Sequence, residues 1–287
     1  MLSLILLSVL LGSAQSQVET LPLDYVCPMD PDVRAALPGS CSRCGMKLVA
    51  GVIDLIEYAL DVKLRPHAPR VDQSVELTFT VNDPNTGRAV QDFEIVHERP
   101  FHLFVVNEGL DFFLHEHPVL GRDRRFRFRT RFPKPGMYRL LCDFYPKGGS
   151  PQLLARTVLI PGTQGMSLPP VPGGLSPDLS EKTGLNITVE LSMQPSIPIA
   201  GMKTLMFFRI KPADGLEKYL GSWSHLLAFS DDLVDGMHAH PFLADGGPQV
   251  QFNMIFPRAH TYRMWAQFQR KGVVNTVVFD VPVSELK

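Results

Sequence analysis

Three cysteines near the N-terminus have the types and the spacing of a metal site. Cys27, Cys41 and Cys44 follow a C-x13-C-x2-C pattern, and Met29 and Met46 each lie two residues after a cysteine. The glycine after the C-x-x-C pair allows the backbone to turn under an ion, so that two thiolates converge on it and a third closes the cage. Thiolates and thioethers are soft ligands, which select Cu(I) or Zn over Mg or Ca. The spacing therefore predicts a copper or zinc ion in this segment.

The same segment resembles the small heavy-metal-binding module of copper-transporting P-type ATPases and of periplasmic adaptors of copper/silver efflux pumps. The pattern of that family, Y-x-C-P-M-H-P followed by P-G-x-C-P-x-C-G-M-x-L, is matched at Cys27, Pro28, Met29, Pro31, Pro38, Gly39, Cys41, Cys44, Gly45, Met46 and Leu48. Asp30 stands where the family usually has histidine, and a carboxylate is a harder ligand. The resemblance implies that the three cysteines bind one thiophilic ion, with Asp30, Met29 or Met46 completing its coordination.

A disulfide is the alternative use of these cysteines. Oxidising compartments favour disulfides, so Cys41 could pair with Cys44, or either could pair with Cys27. The matched proline, glycine and methionine positions have no role in such a bridge. The sequence favours the metal and leaves the disulfide open.

Six of the nine histidines belong to a pattern, H-L-x11-H-x-H-P, that occurs twice. In an extended segment the two histidines of H-x-H point to the same side, about 7 Å apart, and a strand carrying the first histidine could return beside them. Three imidazoles on one face could bind Zn or Cu. The pattern thus predicts two candidate triads, which are His102, His115 and His117, and His225, His238 and His240.

A structural role is the alternative for both triads. Histidines at strand ends often hydrogen-bond buried carbonyls, and a duplicated domain duplicates its structural residues. His67, His97 and His260 lie outside the repeated pattern. We expect surface or structural roles for these three.

The elements that must position these residues are β-strands. Apolar and polar residues alternate with the period of a half-buried strand in four runs, which are residues 75–81, 125–132, 186–191 and 249–256. A second repeated feature, Phe-Pro leading to Tyr138 or Tyr262, accompanies the two histidine patterns. We therefore predict a mainly β fold, in which a small Cys-rich metal-binding module precedes two repeated immunoglobulin-like β-sandwich domains.

The predicted boundaries follow from composition. An apolar run at residues 2–11, too short to span a membrane, indicates a signal peptide at residues 1–16. The module is expected at 22–50 and the sandwiches at 52–162 and 185–287. Residues 163–184 are rich in Pro, Gly and Ser and are expected to be a linker.

Composition and motifs limit the classes of function that the chain could have. The chain of 287 residues has a formal net charge of −1, which argues against a general nucleic-acid binder. It lacks the common nucleotide-binding and hydrolase signatures, so no enzyme is expected. We predict an exported soluble protein, periplasmic or secreted and without a membrane span after signal cleavage. It would bind, buffer or hand over copper or a similar soft metal, with a metal efflux or delivery protein as partner. The alternatives are an extracytoplasmic interaction protein with a structural zinc knuckle, and a His-triad metalloenzyme of unknown substrate.

Overall fold

The computed structural model describes residues 25–27, 30, 33–43, 45–50, 56–162 and 174–286. The predicted signal peptide, Met29, Cys44 and residues 163–173 of the predicted linker lie outside them. All regular structure in the described residues is β-strand, which confirms the predicted mainly β fold. Within this part of the chain, no helix has the length and apolar character needed to cross a bilayer.

The N-terminal module is a small three-stranded antiparallel sheet. Its strands are β1 (Tyr25–Val26), β2 (Arg34–Ala35) and β3 (Val49–Ala50), with β1 in the middle. Among the described residues of the module, the buried members of its apolar cluster are Cys27, Cys41 and Leu48. A core this small rarely supports a fold without a metal ion or a disulfide.

The first sandwich consists of two four-stranded antiparallel sheets. The outer sheet contains β4 (Ala59–Arg65), β5 (Val75–Asn82), β8 (Val119–Leu120) and β9 (Phe126–Thr130), in the order β4-β5-β9-β8. The inner sheet contains β6 (Phe101–Asn107), β7 (Phe113–Glu116), β10 (Gly136–Phe144) and β11 (Gln152–Ile160), in the order β11-β10-β6-β7. The core lies between them and includes the side chains of Leu77, Phe79, Leu103 and Tyr138.

The second sandwich repeats this arrangement. Its outer sheet has the order β12-β13-β14-β18, formed by β12 (Lys182–Thr183), β13 (Thr188–Gln194), β14 (Lys203–Lys211) and β18 (Gln249–Ile255). Its inner sheet contains β15 (Leu216–Glu217), β16 (His225–Ser230), β17 (Gly236–Ala239), β19 (Thr261–Arg270) and β20 (Val273–Pro282). There β19 pairs with β15, β16 and β20, and β16 pairs with β17. The path β20-β19-β16-β17 therefore matches β11-β10-β6-β7.

The alternating runs in the sequence coincide with outer-sheet strands. In β5, Val75, Leu77, Phe79 and Val81 are buried while the residues between them are half-buried. The other three predicted runs overlap β9, β13 and β18. The end of the predicted linker, residues 174–184, contains the strand β12. It also contains Asp178, which forms a β-bridge with Asp280.

The two inner sheets pack against each other and join the sandwiches. Every residue of β6 and of β16 is buried, because one face of each strand contacts the core of its own domain and the other face contacts the opposite domain. A shared apolar cluster contains Phe104, Val106 and Leu141 from the first domain and Leu227, Phe229 and Trp265 from the second. The interface therefore resembles the interior of a protein, and it buries the strands that carry the histidine patterns.

Candidate metal centres

In the N-terminal module, two cysteines and an aspartate converge. One ligand atom from each of Cys27, Asp30 and Cys41 lies within 4.8 Å of the other two. The Cys27 and Cys41 thiols both donate to Oδ2 of Asp30, over 3.7 and 3.4 Å. All three residues are buried. One carboxylate oxygen thus lies close to both sulfurs, and the three ligand atoms could coordinate one ion.

Local backbone geometry holds this arrangement. The amide of Asp30 donates to Cys27 Sγ over 3.3 Å, and the amide of Arg43 donates to Cys41 Sγ over 3.4 Å. Amide donors favour a negatively charged sulfur, the form that binds metal. Gly45, with φ of 78°, completes the turn and donates to the Cys41 carbonyl over 2.9 Å.

The remaining predicted ligands of the module are placed as follows. Met46 is half-buried, and its carbonyl accepts a hydrogen bond from the Cys41 amide. Cys44 and Met29 lie outside the described residues. The structure therefore brings together Cys27, Cys41 and Asp30 from the predicted set, and the disulfide alternative stays open.

The first histidine triad converges on one nitrogen. His102 lies in β6, His115 lies in the neighbouring β7, and His117 follows the end of β7. The Nδ1 atom of His102 is 3.3 Å from His115 Nε2 and 3.2 Å from His117 Nε2. The other nitrogen of His102, Nε2, is 3.0 Å from the carbonyl oxygen of Val96. Since a carbonyl can only accept, Nε2 carries the proton and Nδ1 presents its lone pair to the other two rings.

The second triad repeats this geometry. His225 Nδ1 is 3.5 Å from His238 Nε2 and 3.1 Å from His240 Nε2. His225 Nε2 donates to the carbonyl of Tyr219 over 2.9 Å. Again the buried strand histidine points its unprotonated nitrogen at its two partners.

The two triads meet at the domain interface. His115 Nδ1 donates to Oε1 of Gln267 over 2.6 Å, and His238 Nδ1 lies 2.7 Å from Oδ2 of Asp143. Each bond crosses from one sandwich to the other. Asp143 is paired with His102 across β10 and β6, as Gln267 is paired with His225 across β19 and β16. Each domain therefore supplies the residue that orients one ring of the other domain's triad.

A seventh histidine joins this cluster. The ring of His97 stacks on that of His240, with centroids 3.7 Å apart, and His97, His225 and His240 offer ligand atoms within 4.8 Å of one another. His97 is buried, so the expectation of a surface role for it is wrong, while a structural role stays a prediction. Its counterpart in the second domain is Leu220, which has the same φ of 49°, so the repeat gave no signal for it. We refer to these seven residues as the histidine cluster: His97, His102, His115, His117, His225, His238 and His240.

Burial keeps six histidines of the cluster neutral. Desolvation lowers the pKa of His97 and His102 from 6.5 to about 4 and that of His117 to about 3. It also lowers the pKa of three further members well below its usual value, namely His115, His225 and His240. Neutral imidazole is the form that binds metal ions, so these rings are available as ligands at neutral pH.

The last two histidines lie elsewhere. His67 is exposed. His260 Nδ1 is 2.7 Å from Asp231, and the neighbouring Asp232 is held by the guanidinium of Arg258 at 2.9 and 3.0 Å. Because Arg258 already supplies the positive charge, this acidic group is an ion-pair network and not a metal site.

The module and the histidine cluster are neighbours. Arg43 forms an ion pair with Asp30 at 3.0 Å, and its guanidinium lies 4.7 Å from the ring centroid of Phe242. Phe242 is two residues from His240 in the sequence. Burial is the main cause of the lowered pKa of His97, and the Asp30 carboxylate is near enough to oppose it. The thiolate site thus lies at the edge of the domain interface.

Comparison with known families divides the chain, as the sheets do, into a small N-terminal module and two repeated domains. Residues 25–50 match the model of the heavy metal binding domain, so the cysteine segment is a heavy-metal-binding module, as its motif predicted. Residues 56–159 and 182–285 each match the model of one domain of unknown function (DUF8832). The sandwiches are therefore two copies of one domain, as the repeated histidine pattern predicted. No curated protein sequence matches the chain.

Similarity to solved structures is weak. An Escherichia coli adhesin, FdeC, shares 13% identity, with 83% of this chain and 70% of that chain covered and a TM-score of 0.27. A putative membrane anchored protein from Corynebacterium diphtheriae shares 10% identity, with 86% and 64% covered and a TM-score of 0.25. The FN1–FN3 domains of chicken CNTN1 share 8%, with 83% and 71% covered and a TM-score of 0.21. None of these similarities bears on function.

Proposed function

The chain belongs to the DUF8832 family, whose domain occurs twice in it, and we propose that it is a non-enzymatic, exported metal-binding protein. Its N-terminal module binds one soft metal ion, with Cu(I) as the preferred ion, and buffers it or hands it to a metal efflux or delivery protein. The apolar run at residues 2–11 supports export.

One observation carries this proposal. Cys27, Asp30 and Cys41 place their ligand atoms within 4.8 Å of one another, in a segment that matches the heavy metal binding domain. Two sulfurs and one carboxylate form a soft, partly anionic donor set, which suits Cu(I) or Zn²⁺ better than a hard ion such as Mg²⁺.

The position of the module supports transfer of the ion. Its Asp30 pairs with Arg43, whose guanidinium lies over the ring of Phe242. Phe242 and Leu243 are large apolar residues that are nevertheless exposed, at 45% and 65%. Exposed apolar side chains next to a metal site are suited to contact with a protein that receives the ion.

A competition assay tests the proposal. Reduced full-length protein is titrated with Cu(I) in the presence of a chromophoric Cu(I) chelator. We expect the double variant Cys27→Ser/Cys41→Ser to retain one equivalent fewer than the wild type. Equal retention by the two proteins would contradict the proposal, and a Zn²⁺ ion that Cu(I) does not displace would favour a structural zinc knuckle instead.

Cys142→Ala is the matched control. Cys142 is fully buried in the first core, and β10 places it where the second domain has Ala266 in β19. The family fold therefore accepts alanine at this position. Loss of this thiol should leave the Cu(I) stoichiometry unchanged.

A further inference from the structure

We propose that the histidine cluster is a second metal centre, built by both sandwiches, which binds divalent ions such as Zn²⁺ through nitrogen alone. It has two halves. The first is formed by His102, His115 and His117, and the second by His225, His238 and His240 with His97 beside them. This proposal goes beyond the function of the module and does not depend on it.

The hydrogen bonds around the rings leave lone pairs facing one another. His102 and His115 each give their only proton to an acceptor outside the triad, the Val96 carbonyl and Gln267. The remaining nitrogens, Nδ1 of His102 and Nε2 of His115, are only 3.3 Å apart. Two unprotonated nitrogens at this distance repel unless a positive charge lies between them.

A metal ion is a better source of that charge than a proton. A proton would bridge only two of the three nitrogens. One ion can accept lone pairs from all three rings at the same time.

The spacing of the nitrogens fits tetrahedral coordination. Bonds of about 2.0–2.1 Å at tetrahedral angles separate two ligand nitrogens by about 3.3 Å. The first half has separations of 3.3 and 3.2 Å. The second half has separations of 3.5 and 3.1 Å. In the first half all three ligand atoms lie within 4.8 Å of one another, and in the second half the same holds for His97, His225 and His240. These separations are close to those around a bound ion.

The surrounding acceptors are those of a metal site. Ligating histidines usually donate their second N–H to a carbonyl or a carboxylate, which fixes the tautomer and the ring orientation. Here the acceptors are the carbonyls of Val96 and Tyr219 and the side chains of Gln267 and Asp143. The last two come from the opposite domain, so a bound ion would stabilise the interface as well as the site.

Metal stoichiometry tests the centre. Full-length protein and its variants are titrated with Zn²⁺ against a competing chelator. The variants are His117→Ala and His240→Ala, because these two residues are only half-buried. We expect each histidine variant to lose one equivalent of Zn²⁺ from the cluster. Cys27→Ser/Cys41→Ser should instead lose the equivalent bound by the module. Failure of the centre and failure of the module can therefore be distinguished.

A control variant and a stability measurement test whether misfolding explains a lost equivalent of Zn²⁺. His67→Ala, at an exposed histidine outside the cluster, should keep the full stoichiometry. For every variant, circular dichroism and the melting temperature are recorded without metal and with Zn²⁺. A histidine variant that keeps its fold but no longer gains melting temperature when Zn²⁺ is added would support the centre. Unchanged Zn²⁺ stoichiometry in both histidine variants, or a lower metal-free stability as the only effect, would overturn it.

Discussion

Asp30 shows how one residue tunes the module. Its carboxylate accepts hydrogen bonds from both cysteine thiols and also pairs with Arg43. The resemblance places histidine at this position, and imidazole is a softer donor than carboxylate. The cysteine spacing was sufficient to predict the region of this site. The ion pair between Arg43 and Asp30 was not predictable, because it depends on a turn that brings residues 30 and 43 together.

The first prediction concerns this position. Asp30→His should bind Cu(I) more tightly than the wild type, because a soft donor replaces a hard one. Competition with a Cu(I) chelator measures the difference. Asp92→His, at an exposed aspartate, is the control and should have no effect. Equal or weaker Cu(I) binding by Asp30→His would show that residue 30 does not contact the ion.

Gln267 is a positioning residue for the other domain's triad, and the second prediction follows from this role. Gln267→Met keeps the side-chain length but removes the acceptor of the His115 N–H. Loss of such an acceptor should weaken Zn²⁺ binding by about 10–100-fold. Zn²⁺ competition measures it, and Gln269→Met, which alters a bond to Glu217 outside the cluster, is the control. Unchanged Zn²⁺ affinity in Gln267→Met would argue against this role.

At the scale of strands, the burial of β6 and β16 explains why the meeting of the two triads could not be predicted from the sequence. The outer strands alternate, so their pattern reveals them. β6 reads Phe-His-Leu-Phe-Val-Val-Asn and is buried throughout, so its sequence does not tell which face contacts the second domain. The triads were therefore predictable from the repeat, whereas their meeting across the interface was not. Their positions inside one cluster depend on tertiary packing.

Phe104 tests the coupling between strand packing and the cluster. It is fully buried in the interface, and its ring stacks on His115 with centroids 4.2 Å apart. Phe104→Ala should lower the free energy of unfolding by about 3–5 kcal/mol and should also weaken Zn²⁺ binding. Urea denaturation and Zn²⁺ titration measure the two effects.

Phe79→Ala is the matched control for Phe104→Ala. Phe79 is equally buried, but it lies in the core of the first sandwich. A similar loss of stability with normal Zn²⁺ binding is expected. If both variants bound Zn²⁺ alike, packing at the interface would have no influence on the cluster.

At the scale of the whole molecule, the cluster makes the metal-free protein sensitive to acid. The folded pKa of His97 and of His102 is about 4, below the ordinary value of 6.5. Between these values the unfolded chain binds more protons than the folded chain, so the free energy of unfolding falls as the pH falls. Above about pH 6.5 both states are neutral and the effect is absent.

The acid sensitivity of the metal-free protein gives a fourth prediction. Stability should decrease from about pH 6.5 toward pH 4, by up to roughly 1.4 kcal/mol per pH unit for each such histidine. Urea unfolding of chelator-treated protein at several pH values measures it, and saturating Zn²⁺ at neutral pH should raise the midpoint. A midpoint that does not change across this range would show that the histidines are not neutral and buried in the folded protein.

X-ray absorption on metal-loaded full-length protein tests the central claim most directly, because it identifies the donor atoms around a bound ion. With Zn²⁺ we expect a mixed first shell, with sulfur at about 2.3 Å from the module and nitrogen at about 2.0–2.1 Å from the cluster. In Cys27→Ser/Cys41→Ser the sulfur should disappear while the nitrogen shell persists. A wild-type spectrum without sulfur, or protein that retains no ion after removal of excess Zn²⁺, would contradict the account.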